Sequence, residues 1–133
     1  MPEGHARLLE VRLTRTAQRD VKGILNWSRR EFGEAAVERY KALIKQAVWD
    51  IANDPKRPGS KERPELMIEG ARTYHLEFSR GKVRGPSVKS PRHFLLYRHL
   101  DERVIEVGRV LHDSRDLQRH LPNAYRRIDP GKE

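Results

Sequence analysis

Arg72 and His75, Arg98, and then Arg109 and His112 are side chains suited to phosphoryl chemistry, and each falls in a strand-like segment of the sequence. An arginine fork can grip a phosphate with two parallel N–H bonds and stabilise the extra charge of a pentavalent phosphorane, while a histidine near neutral pH can move a proton. Together they would suit metal-free cleavage of RNA by its own 2′-hydroxyl, with Arg72, Arg109 and His112 as the candidate catalytic set. The same arginines can instead pair with Glu77, Glu106, Asp113 or Asp116 and satisfy a polar sheet face. The sequence leaves both readings open.

The stretch "RVLHDSRD", Arg109 to Asp116, also sets His112, Asp113 and Ser114 side by side. Neighbours at a strand end point in different directions, so they do not make a nucleophilic triad. Ser114 or Asp113 fits better as the cap of a short tail helix in "RDLQRHL". The six histidines show no metal-ligand spacing, although His75 and His99 lie where two strands could bring them together. The absence of cysteine excludes disulfides, thiolate metal sites and cysteine nucleophiles. No cofactor and no metal is implied.

Those residues need a frame. Leu9, Val11 and Leu13 alternate with Glu10 and Arg12, which predicts a half-buried strand over about Leu8 to Thr14. Ala17, Val21, Ile24, Leu25, Ser28 and Phe32 then recur at helical spacing, with Thr14 or Thr16 as N-cap and Gly33 as the stop. A second helix restarts at once, with Val37, Tyr40, Ile44, Ala47, Val48 and Ile51 in one stripe and Pro55 beyond its end. So short a link makes the two helices an antiparallel hairpin. Tyr40, Trp27 and Trp49 read as core or rim packing.

The proline-rich "DPKRPGSKERPEL" reads as a loop and "ARTYHLEF" as a strand. "HFLLYRHL" and "RVIEVGRVL" read as two interior strands joined by the polar "LDER". The expected fold is α+β, in the order β-α-α-β-β-β: an N-terminal strand and a helical hairpin packed on a mainly antiparallel sheet, with a short C-terminal helix. One domain over residues 1–133 is expected, with its core over about 8–122 and short flexible termini such as "RRIDPGKE".

Lys and Arg number 28 against 19 Asp and Glu, a formal charge of +9, which favours an anionic partner. Between Phe78 and Leu100 there is no acidic residue, while Arg80, Lys82, Arg84, Lys89, Arg92 and Arg98 are basic. "SRGKVRGPSVKSP" within that run reads as a loop. No segment is apolar enough for a signal peptide or a membrane span, which makes the cytoplasm the default compartment.

The order of elements, the helical hairpin ending in "NDP" and the paired signature "FLLYRHLDERVIEVGRVLHDSRD" resemble the RelE/ParE superfamily of type II toxin–antitoxin toxins. The resemblance spans about Leu8 to Pro122 and is closest to the ParE-like branch. It implies a cytoplasmic toxin neutralised by a cognate antitoxin, whose acidic or amphipathic C-terminal segment would use the positive charge and an exposed apolar groove beside the hairpin. It also implies contact with operator DNA only through the antitoxin. By resemblance to the ParE-like branch the target is DNA gyrase, inhibited by binding and not by catalysis. The alternative is a RelE-like, ribosome-dependent mRNA endoribonuclease using Arg72, Arg109 and His112; no tyrosine follows His112, as would suit that branch. Target or partner contact is expected of Arg80, Lys82, Arg84, Lys89, Arg98 and Arg115.

Overall fold

The computed structural model describes residues 8–126. The frayed end expected at "RRIDPGKE" therefore lies almost wholly outside the described residues. Strand β1 (Glu10–Leu13) leads into helix α1 (Arg15–Phe32). Thr14 Oγ1 accepts the Ala17 N–H at 3.0 Å as the N-cap and donates to the Gly108 carbonyl at 2.8 Å, which ties the helix start to the sheet. Helix α1 and helix α2 (Glu34–Asn53) are separated by Gly33 alone, whose φ of 90° and ψ of 178° suit only glycine.

A five-stranded sheet packs under the hairpin, in the order β1, β5 (Val104–His112), β4 (His93–His99), β3 (Arg72–His75) and β2 (Lys61–Glu62). Strands β3, β4 and β5 form an antiparallel meander, and β1 runs parallel to β5. The apolar stripes explain the layering. Leu43, Ile44, Ala47 and Ile51 of α2 meet Tyr74, Leu95, Tyr97, Ile105, Val107 and Val110 of the sheet in one buried cluster. Each leucine, isoleucine or valine among them, fully buried, contributes roughly 1.5–3 kcal/mol. A smaller cluster of Leu66, Ala71, Leu96 and Tyr125 covers the other face.

Three sequence expectations are corrected. "DPKRPGSKERPEL" is not all loop: it holds the two-residue edge strand β2 (Lys61–Glu62) and a 3₁₀ turn (Pro64–Leu66). Too few residues pair there for alternation to be visible. The strand expected through Phe78 stops at His75, whose Nδ1 accepts the Glu77 N–H and caps a 3₁₀ helix over Leu76–Lys82. That turn carries Ser79, expected in a loop, into the core, where it donates to the buried Asp50 carboxylate and bonds Tyr74 Oη. Finally, the tail is a 3₁₀ helix (Leu117–His120) capped by Asp116, not by Asp113 or Ser114, which bond to neighbouring side chains instead.

A bulge in β5 seats the C-terminal segment. Leu96 pairs with Arg109 but Tyr97 with Val107, so Gly108 has no partner across the pair. A Cβ there would lie 2.7 Å from the Tyr125 ring and 2.8 Å from Pro122, so the bare backbone lets helix α3 (Asn123–Arg126) dock on the sheet. Tyr125 Oη donates to the Glu106 carbonyl at 2.7 Å to complete that seat.

Candidate functional site

Arg72, Arg109 and His112 do not converge. Arg72 turns toward the β2 edge, where Nε donates to Ser60 Oγ at 2.6 Å and Nη1 lies 3.7 Å from Glu62. Ser60 in turn bonds Tyr97 Oη. Arg109 turns toward α1 and makes a bidentate pair with Asp20 at 2.8 and 2.9 Å, while its third nitrogen donates to the His120 carbonyl. Asp20 also accepts the Val110 N–H, because β1 ends at Leu13 and leaves the edge of β5 open there. Both guanidiniums are mostly buried, at 14% and 18% exposure, and are spent on holding elements together.

His112 belongs instead to a cluster at the opposite end of the meander from the β4–β5 turn. It pairs across the strands with His93, ring against ring at 5.3 Å, edge to face. His93 Nδ1 and Tyr40 Oη of α2 share a 2.6 Å hydrogen bond, and Tyr40 accepts the Arg92 N–H. His75 bonds Asp113 Oδ2 at 3.1 Å, and Arg92 donates to Asp113 Oδ1 from two nitrogens. His75 and His99, which the sequence left free to meet, sit at opposite ends of the sheet. Among the described residues no group of acids and histidines is placed to hold a metal ion.

Backbone donors fix two of the histidine tautomers: His75 Nδ1 accepts the Glu77 N–H and His112 Nδ1 the Ser114 N–H, so in both rings the hydrogen sits on Nε2. His93 is held neutral: burial, aided by the nearby His112, lowers its pKa to about 4. Burial likewise pushes its partner Tyr40 up to about 12. Burial opposes ionisation of Asp113, but hydrogen bonds from Arg92 and His75 outweigh it and hold the carboxyl below its usual range. A general base needs a nitrogen lone pair facing the substrate, and in His75 and His112 that lone pair is turned to the backbone N–H of Glu77 and Ser114.

Two hollows open on the cluster. One, of about 640 Å³, is walled by Ile24, Trp27 and Phe32 of α1, Tyr40 of α2, Val88 of the loop, and His93 and His112. It is the apolar groove expected beside the hairpin. The aromatic residues there are not core: Trp27 is 49% exposed and Phe32 67% exposed, and they meet edge to face at 5.5 Å. Trp49, on the outer side of α2, is exposed as well. The second hollow, of about 400 Å³, is polar and lined by His75, Glu77, Arg80, Lys89, Arg92 and Asp113.

The other basic positions divide. Arg80 donates to the Lys89 carbonyl and Arg84 lies exposed on the same loop. Lys82 reaches the buried Asp50 at 3.4 Å, and exposed Arg115 lies 3.4 Å from His120. Arg98 is not a free surface cation, since it pairs with Glu106 and stacks over Tyr125 at 4.3 Å. Sequence reading passes over Tyr40, Arg92, His93 and Asp113 as a group. The one signal is the pairing of two predicted strands, which aligns His93 with His112 once the hairpin turn is fixed.

Comparison with known proteins agrees with this architecture. Residues 11–117 match the family described as the ParE toxin of the type II toxin-antitoxin system, parDE. A solved structure, titled a chromosomal ParDE TA system from P. aeruginosa, superposes with a TM-score of 0.54 at 15% identity. The superposition covers 79% of this chain and 96% of that one. No individual curated protein matches the sequence. Since the family match runs from β1 to the tail and takes in the whole meander, the chain belongs to the ParE toxin family of type II toxin–antitoxin systems.

Proposed function

We propose that this toxin acts in the cytoplasm by binding DNA gyrase, and that a cognate antitoxin neutralises it through an acidic or amphipathic C-terminal segment. On this reading residues 1–133 work as one toxin domain, and operator DNA is met only through the antitoxin. No helix of the described residues is long and apolar enough to cross a membrane. The observation that carries the choice of binding over catalysis is the fate of the arginines. Arg72 and Arg109, which a ribonuclease would aim at a phosphate, are bonded to Ser60 and Asp20 inside the fold. Arg80, Arg84, Lys89 and Arg115 remain at the surface for a target or partner. The test is direct. Purified toxin is expected to block gyrase supercoiling, and its expression without antitoxin to induce DNA-damage signalling; normal supercoiling at saturating toxin sinks the proposal.

A ribosome-dependent endoribonuclease is the second reading, favoured by the convergence of His75, His93, His112 and Arg92 at one corner. It predicts new transcript ends after induction. Intact messages during growth arrest would rule it out.

A further inference from the structure

We propose that the solvent face of helix α1 binds duplex DNA, along the phosphate backbone and without reading its sequence. Arg15, Arg19, Lys22, Asn26, Arg29 and Arg30 recur three or four residues apart until the last pair, and all are exposed. At 3.6 residues per turn they share about a third of the helix circumference, opposite the buried Ala17 and Ser28. The stripe is about 22 Å long from Arg15 to Arg30. The acids of α1 stand aside from it: Asp20 is bound to Arg109, and Glu31 falls outside the arc. Arg29 is held by Asn26 and Glu34, while Arg15, Arg19, Lys22 and Arg30 make no ion pair among the described residues. Helix α2 differs, since its exposed Glu34, Glu38, Lys41 and Lys45 mix both signs.

Charge alone marks this face, and that selects the partner. A protein interface needs an apolar centre with aromatic or aliphatic anchors, and the stripe has none. The exposed rings of α1, Trp27 and Phe32, line the groove on another side of the helix. Four of the five cations are arginines, whose forked N–H groups match phosphate oxygens. Gly23 is the second observation. It lies exposed in mid-helix, where glycine weakens the helix relative to alanine, and a Cβ there would meet nothing within 4 Å. No packing within the fold calls for it, whereas a bare backbone at the centre of the stripe lets a ligand's backbone come close.

The stripe has two flanks, Lys22 with Arg29 and Arg19 with Arg30, which suit the two phosphate walls of a groove. The major groove of B-DNA, about 12 Å wide, admits a helix about 10–12 Å across, whereas that of A-form RNA is deep and narrow. Duplex DNA is therefore the nucleic acid that fits. Phosphate contacts position a protein but carry no sequence information, so finding the operator stays with the antitoxin. The inference does not rest on gyrase as the target.

The test is fluorescence anisotropy of a labelled duplex of about 20 base pairs, titrated with the full chain from about 50 to 200 mM salt. With four unpaired cations engaged, the logarithm of affinity is expected to fall against the logarithm of salt with a slope of about −3.5. Because the whole chain carries a charge of +9, the control removes equal charge elsewhere. Arg19→Ala with Lys22→Ala should weaken binding at least about tenfold and make the slope shallower by about two. Lys41→Ala with Lys45→Ala, on α2, should stay within about twofold of the parent. Alanine favours an exposed helix, so circular dichroism and the thermal midpoint should hold in both. Gly23→Leu changes no charge; it should raise the thermal midpoint and weaken DNA binding by about tenfold. Absence of saturable binding at about 50 mM salt overturns the proposal, as do equal losses from the two double variants or undiminished binding by Gly23→Leu. Equal affinity for duplex RNA overturns the choice of DNA, and tighter binding of a polyglutamate peptide at the same residues gives the face to an acidic protein instead. None of these readouts involves gyrase, so the result stands apart from the identity of the toxin's target.

Discussion

Arg109 lies within the β4–β5 pair and Arg92 immediately before it, and their surroundings could hardly differ more. Arg109 is 18% exposed, makes two bonds to Asp20 and one to the His120 carbonyl, and joins α1, β5 and the tail in one knot. Arg92 is 59% exposed and grips Asp113 with two nitrogens at the lip of an open hollow. The first arrangement leaves nothing for a ligand. The second holds its carboxylate in place yet keeps its cation at the surface. Positive charge on this sheet therefore has two uses, and burial separates them: cations beside the core are structural ties, while those at the histidine corner can meet a partner.

The comparison breaks first if the knot proves dispensable. Arg109→Ala would leave the largely buried Asp20 carboxylate with only the Val110 N–H, and is expected to cost about 3 kcal/mol. Arg92→Ala, at an exposed pair, should cost under about 1 kcal/mol. Urea unfolding of the two variants at equal m-value measures the gap. Equal losses would mean that exposure does not divide the two clusters as argued.

The bulge beside the knot gives a smaller effect. Gly108→Ala forces a methyl group against Tyr125 and Pro122, and overpacking of this kind costs about 2 kcal/mol. Because the clash lies under α3, the C-terminal segment should become open to limited proteolysis at a lower protease dose, with the thermal midpoint reduced. An unchanged midpoint would show that the tail can shift without loss.

The histidine corner should instead reveal itself by pH. The His93 pKa falls from 6.5 to about 4 in the folded chain, so between those values the unfolded state binds more protons. Stability present above about pH 6.5 is then lost as pH falls toward 4, with a slope of at most about 1.4 kcal/mol per pH unit for one proton. The groups facing His93 are Tyr40, His75, His112, Asp113 and Asp20. Asp113, held below 3.8, adds its own loss only at still lower pH. His93→Phe should flatten the profile between pH 4 and 6.5, measured by urea midpoints across that range. A slope that survives the substitution would place the titration elsewhere.

How much of this is legible in the sequence depends on what kind of signal each feature leaves. The hairpin and the meander show as periods of 3.6 and 2, because Leu43, Ile44, Ala47 and Ile51 face the core together, as Leu95 and Tyr97 do. Strand β2 and the 3₁₀ helix at Leu76–Lys82 leave no period: the first is two residues long, and the second is set by Asp50 drawing Ser79 inward from 29 positions away. The site is subject to the same limit. Arg72, Arg109 and His112 stand out as chemistry-bearing residue types on strands, and on strands they lie. Which way each side chain turns is decided by partners such as Ser60 and Asp20, 12 and 89 residues distant, and spacing carries no trace of them.

The smallest stability effect is the sharpest test of what the open corner does. His112 is 41% exposed and its side-chain hydrogen bonds are local, to Ser114, so His112→Gln and His112→Phe should each change stability by less than about 1 kcal/mol even though glutamine gives up the edge-to-face contact with His93. Their effects on growth arrest should diverge. Glutamine can place an N–H close to where Nε2–H stands, whereas phenylalanine keeps the ring and removes the donor. If the corner works by donating hydrogen bonds to a bound group, His112→Gln retains most of the toxicity and His112→Phe loses it. If His112 moves a proton, both substitutions abolish toxicity, since a carboxamide does not titrate near neutral pH. Equal, undiminished toxicity from both would take His112 out of the site and leave Arg92 and the exposed loop cations to account for it.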